Sequence, residues 1–224
     1  MQKRWIGILA AAVALSTLAW IVIMIISESG SPPVETLEDK IVSIRSQREL
    51  YAACYLNAAL LTFLTVLFMS ALYASSQELD RLWSTIAFAF IPIYGLANLV
   101  SYLSQVFIVP PLLELYGDPA SRTTAKILLR LAIHTWPGST IEALNGMAYA
   151  VLGIPSIVFP VISMRTPRLL QIGGILLALS GVMSIVAFFG LVSSIGYLTS
   201  LSIAGGIVFL ISLFPISIHF LKTK

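Results

Sequence analysis

Six long apolar stretches, holding one acidic residue and no lysine or arginine between them, leave this chain few ways to fold. They run over residues 5–27, 50–74, 82–109, 139–163, 169–192 and 198–220. At 1.5 Å per residue, about 20 apolar residues in a helix match the hydrocarbon thickness of a bilayer. Only helices or closed barrels satisfy every backbone polar group in lipid, and runs of this length suit helices. Charged residues make up 10% of the 224 residues and hydrophobic ones 58%, where soluble domains are nearer a quarter charged. The expected fold is therefore all-α: one polytopic membrane domain of six transmembrane helices.

The first stretch follows the basic start at Lys3 and Arg4. Its apolar run exceeds the 7–15 residues of a signal-peptide core, so a retained span is expected. Two further segments read as amphipathic surface helices. From Val34, apolar Leu37, Ile41 and Ile44 recur at helical spacing, with Glu35, Glu38, Asp39, Arg45 and Arg48 on the other side. After Pro110 and Pro111, Leu112 to Tyr116 suggest one helical turn. Asp118-Pro119 then reads as an N-cap followed by a first-turn proline. From there to Thr135, Arg122, Lys126, Arg130 and His134 form a ladder expected to lie among lipid phosphates. The second and third stretches join through a tight polar turn, Gln77 to Arg81, and the fourth and fifth through a basic one, Arg165 to Arg168.

Six crossings return the C-terminus to its starting side. That side carries Lys3, Arg4, Arg81, Arg165, Arg168, Lys222 and Lys224 in short segments. The other carries Lys40, Arg45, Arg48, Arg122, Lys126 and Arg130 in long ones. Weighting the short segments, both termini are expected in the cytoplasm and the surface helices outside the cell membrane.

The fourth stretch holds the lone intramembrane acid, Glu142. Helical spacing puts Glu142, Asn145, Gly146, Tyr149, Gly153 and Ser156 on one small and polar face, which suits a bundle interior. In the third stretch Asn98, Tyr102 and Gln105 form a stripe beyond Pro92, a proline expected to bend the helix. In the second lie Tyr55 and Asn57. All of these fall in the outer half of their spans, above nearly pure apolar sequence. If the three helices adjoin, Tyr55, Asn57, Asn98, Tyr102, Gln105, Glu142, Asn145 and Tyr149 line one outward-facing polar pocket for a small polar or cationic solute.

A plainer reading stands beside this one. Ser139-Thr140-Ile141-Glu142 fits a capping box, with the Ser139 hydroxyl taking the Glu142 N–H and the carboxylate reaching back to Ser139. Intramembrane asparagines commonly serve as interhelical hydrogen-bond partners, which would make this a structural or accessory protein. Enzyme signatures are missing: there is no H-E-x-x-H, no G-x-S-x-G and no phosphate-binding loop lysine. One cysteine, Cys54, and two separated histidines, His134 and His219, make no metal set, and no cofactor is expected. Basic residues sit at span ends without interleaved aromatics. The expected partners are thus the lipid bilayer and a small solute rather than nucleic acid.

Several short motifs carry a resemblance: Tyr55-Leu56-Asn57, Ile91-Pro92-Ile93-Tyr94-Gly95 with Asn98 and Tyr102 to Gln105, and Leu144-Asn145-Gly146 with Leu152-Gly153-Ile154-Pro155-Ser156. They resemble stretches of a prokaryotic six-span membrane protein family, a domain of unknown function. The resemblance implies the six-helix layout and no activity.

Overall fold

The structure is a computed structural model and describes residues 2–29, 34–162 and 167–222. The Pro32-Pro33 pair, Arg165 in the basic turn and Lys224 lie outside the described residues. Every element is helical, with no strand among the described residues: α1 (Gln2–Ser29), α2 (Leu37–Ser46), α3 (Arg48–Ser76), α4 (Arg81–Phe107), α5 (Val109–Gly117), α6 (Arg122–Ala132), α7 (Thr140–Ile162), α8 (Arg168–Val192), α9 (Gly196–Thr199) and α10 (Leu201–Lys222). Among the described residues, six segments are long and apolar enough to cross a membrane. They agree with the six expected stretches to within a few residues at most ends. The third is extended by α5, because one residue, Ile108, separates α4 from α5 and Pro110 and Pro111 fit the first turn of the new helix. α4 continues through Pro92 as one helix.

The spanning helices close into a ring in the order α1, α3, α4, α7, α8, α10 and back to α1. Gly7 of α1 and Ser217 of α10 form the closing seam, where the serine hydroxyl donates to the Gly7 carbonyl across 2.9 Å. Both chain ends therefore lie at one end of the bundle. The α7–α8 contact is the tightest kind. A Cβ on either Gly153 or Gly181 would sit 2.6 Å from the other's carbonyl oxygen, so the two backbones touch.

Core residues come from every spanning helix and concentrate toward the end where the termini lie. Ile6 and Val13, Phe68 and Met69, Ile91 and Tyr94, Phe159, Leu177, Leu213 and Ile216 pack there with almost no exposure. The outside of the ring is apolar as well: Leu15, Val22, Phe63, Leu96, Ile175 and Ile203 are exposed. A water-soluble protein does not leave so much apolar surface uncovered, and this surface is consistent with a lipid environment. Trp5 and Trp83, exposed near the termini end, suit the membrane–water boundary.

At the opposite end, α2, α5 and α6 form a cap with its own small core of Leu37, Ile41, Ile44, Val109, Leu113, Leu129 and Ile133. Thr36 starts α2 with a capping box, accepting from the Asp39 N–H at 3.2 Å while the Asp39 carboxylate takes the Thr36 N–H at 2.9 Å. That box holds the Asp39 carboxyl below its ordinary range.

Two expectations for this region are corrected. Asp118 is not the N-cap: that position is Ser121, three residues later, and Asp118 instead accepts from the Ala120 N–H and the Ser121 hydroxyl in a local turn. The basic ladder is also not a row of free lipid contacts. Lys126 pairs with Glu38 of α2, Arg122 lies over the Tyr116 ring and donates to the Tyr116 carbonyl, and His134 turns inward. The reason is that the apolar face of α6, Ala125 and Leu129, finds α2 and α5 to pack on and carries Arg122 and Lys126 to their partners.

Candidate functional site

Adjacency of the second, third and fourth spans holds: α4 packs between α3 and α7. Their polar side chains meet just above the apolar core, on the cap side.

Asn98 is fully buried at the centre. It donates to the Thr62 hydroxyl of α3 at 3.3 Å and accepts from the Asn145 amide of α7 at 2.6 Å, joining three helices. Tyr102, one turn nearer the cap on α4, and Tyr149, one turn farther from it on α7, share a hydrogen bond of 2.8 Å between their hydroxyls. Nearer still, Tyr55 of α3 meets Nδ1 of His134 at 3.3 Å. The His134 ring stands edge-on to both Tyr55 and Tyr102, with centroids 5.6 and 5.7 Å away. Burial pushes the His134 imidazole below its ordinary pKa, so it sits there neutral.

Gln105 ends the series and is fully buried. Its carbonyl oxygen accepts from the Tyr51 hydroxyl at 2.7 Å and from the His134 backbone N–H at 2.9 Å. Its amide donates to the Ala132 carbonyl at 2.9 Å and to Ser104 at 2.8 Å. Ala132 is the last residue of α6, where helix carbonyls lack intrahelical partners. One side chain of α4 therefore terminates a cap helix and fixes the strand of backbone that follows it.

Glu142 does not join this network through any hydrogen bond of its own. Its backbone N–H donates to the Ser139 hydroxyl at 2.9 Å, as the capping box requires. Its carboxylate, however, takes the Gly138 N–H at 2.6 Å rather than that of Ser139. Ser139 is already donating to the Trp136 carbonyl, so the free N–H of the turn belongs to Gly138. Gly138 has φ +75°, a conformation that glycine adopts without strain, and this aims its N–H at the helix.

Asn57 stands apart. Its amide donates to the Ser16 carbonyl of α1 at 3.0 Å, and the Ser16 hydroxyl donates back at 3.2 Å. Two residues along a helix are about 200° apart, so Asn57 points away from the side that Tyr55 and Thr62 share. It pins α1 to α3 and leaves the expected pocket.

The structure thus brings together Tyr55, Asn98, Tyr102, Gln105, Asn145 and Tyr149, adds Tyr51, Thr62 and His134, and leaves Asn57 and Glu142 outside. Thr62 was findable, since it lies seven residues, two helical turns, from Tyr55. His134 was hidden by its place in the four-residue basic repeat. No group of three or more metal-ligating residues occurs among the described residues. Chemically the network carries no formal charge, offers no activated nucleophile and pairs its amides and hydroxyls with one another. No protein-family model, curated protein or solved structure matches this chain, so the likeness to a six-span family carries no argument and function rests on geometry.

Proposed function

We propose that this chain is a non-catalytic structural or accessory protein of the cell membrane, whose polar network locks three spanning helices to the extracytoplasmic cap. The observation that carries the reading is the self-sufficiency of the network. Asn98, Gln105 and the Tyr102–Tyr149 pair each spend their hydrogen bonds on other protein groups, and the Glu142 carboxylate is spent on a backbone turn. A cation site would need charge or open carbonyls facing it. Gathering of Arg4, Arg81, Arg168 and Lys222 at the termini end of the bundle supports a cytoplasmic position for both termini.

One observation favours a second reading, binding or transport of a small solute. Asn145, Tyr149 and His134 are half-buried rather than buried, so the network has an edge that protein does not fully seal. With no charge in it, that edge suits a neutral polar solute better than a cation.

Melting of the purified protein in detergent, against a panel of cations, amines and neutral polar solutes, separates the two. A solute that binds only the folded state stabilises it by about 2.7 kcal/mol at a hundred times its dissociation constant. The lock predicts no solute-dependent gain that Tyr149→Phe or Glu142→Gln abolishes. A gain present in the wild type and lost in Tyr149→Phe replaces the lock with the solute site. For orientation, single cysteines at Ser29 and Ser121 should label from outside intact cells and one at Gln77 should not; the reverse pattern inverts the topology.

A further inference from the structure

At the cap end of the α1–α3 face lies an open groove of about 740 Å³, lined by Ile26, Arg45, Ser46, Gln47, Arg48, Glu49, Leu50 and Ala53. It is separate from the polar network, and nothing said of it depends on the role of that network. Its chemistry is divided by depth. The α2–α3 junction supplies two guanidinium groups and one carboxylate, a net single positive charge. Ile26, Leu50 and Ala53 supply an apolar floor. From Arg48 to Ala53 is five residues of helix, about 7.5 Å at 1.5 Å per residue. The headgroup layer on each side of a bilayer is about 5–7 Å deep, so the two chemistries are spaced as a lipid phosphate is from its first methylenes.

Below the groove the two helices continue it with exposed apolar side chains, Val22 and Ile25 on α1 and Leu56 and Leu60 on α3. Above it both arginines keep capacity for a ligand. Arg45 gives one N–H to the Leu113 carbonyl and lies 5.6 Å from the Tyr116 ring centre, which holds the guanidinium in place and leaves further donors. Arg48 is exposed, with a single loose ion pair to Glu114 at 3.5 Å.

We propose that this groove is a phospholipid site: the phosphodiester of one outer-leaflet lipid rests on Arg45 and Arg48, and its acyl chain lies over Ala53 between α1 and α3. Arginine suits this role because its planar fork of donors matches phosphate oxygens, while its carbon stem tolerates the apolar boundary. Charge complementarity and continuity with the lipid-facing surface both select a lipid over a soluble anion.

The test uses the full chain in a neutral detergent and three probes: dioleoyl phosphatidylglycerol, dioleoylglycerol with the same chains and no phosphate, and inorganic phosphate. Occupancy is read by native mass spectrometry and checked by melting. Expected is a preference of about tenfold or more for the phospholipid over the diacylglycerol, with no adduct or stabilisation from inorganic phosphate. Arg48→Gln should remove most of that preference. Ala53→Trp, which fills the exposed floor without touching the cap, should displace the phospholipid while leaving the melting temperature of the lipid-free protein unchanged. Equal retention of the two lipids, equal retention by wild type and both variants, or full protection by inorganic phosphate each overturns the proposal.

Discussion

Replacing Asn98 by leucine tests the lock at its centre, because the side chain keeps its branching and number of heavy atoms while its polar bonds go. Two interhelical bonds are lost, to Thr62 and to Asn145. Measured interhelical hydrogen bonds in a membrane bundle average about 0.6 kcal/mol and reach about 1.7. Their loss, with the half-buried Asn145 amide left without its acceptor, gives about 1–3 kcal/mol. Asn145→Leu alone removes the second bond and strands the buried Asn98 carbonyl, at about 1–2 kcal/mol. The informative quantity is the double variant. If the 2.6 Å contact is a bond, Asn98→Leu with Asn145→Leu should cost less than the two singles together, by about 0.6–1.7 kcal/mol. The assay is equilibrium unfolding in mixed micelles of rising dodecyl sulfate content. Additivity within about 0.3 kcal/mol would refute the reasoning, because it would mean that neither side chain feels the other.

Three other outcomes follow from named contacts. His134 is held neutral in the folded protein below its ordinary pKa, so the unfolded chain binds the extra proton first; stability should be full above about pH 6.5 and fall as pH drops toward the folded value, a slope that His134→Gln removes from melting curves. Protonation would also take the acceptor from Tyr55, so hydrogen exchange in α6 should rise over the same window, and a flat profile would contradict the neutral assignment. Gly153→Leu places side-chain carbons where the Gly181 carbonyl stands, so folded yield should collapse, whereas the same change at exposed Gly206, with nothing within 4 Å, should be silent in detergent-solubilised recovery. The Ser84 hydroxyl is fully buried without a hydrogen-bond partner, so Ser84→Ala should leave the melting temperature level or raise it, by up to about 1 kcal/mol of stability.

The spans were legible because lipid imposes a single rule: an uncharged run of sufficient length must be helix. The polar face of α7 followed from the same periodicity, and Asn145 and Tyr149 do meet α4. What escaped was direction. Asn57 and Tyr55 are neighbours in sequence and share a depth, yet opposite faces of α3 sent them to different helices. The cap escaped for a related reason. Arg122, Lys126 and Arg130 look like one electrostatic unit along α6, but Glu38 and Tyr116 arrive from elements that local spacing cannot place beside it. Gln105 shows the limit most plainly, since its main partners are the backbone of a segment 27 and 29 residues away.

The seam between α1 and α10 sets an order on biogenesis. Gly7 and Ser217 are 210 residues apart, nearly the full chain. At about 5–20 residues per second, synthesis delivers the second partner some 10–40 s after the first. Throughout that interval the bilayer holds an open arc of helices, with α1 paired on one side to α3 and bare on the other. Its glycine-bearing edge must stay soluble in lipid without finding a wrong neighbour. Insertion of the last helix is therefore the step that commits the ring, and a ribosome stalled before Leu201 would strand an assembly whose first helix still lacks its mate.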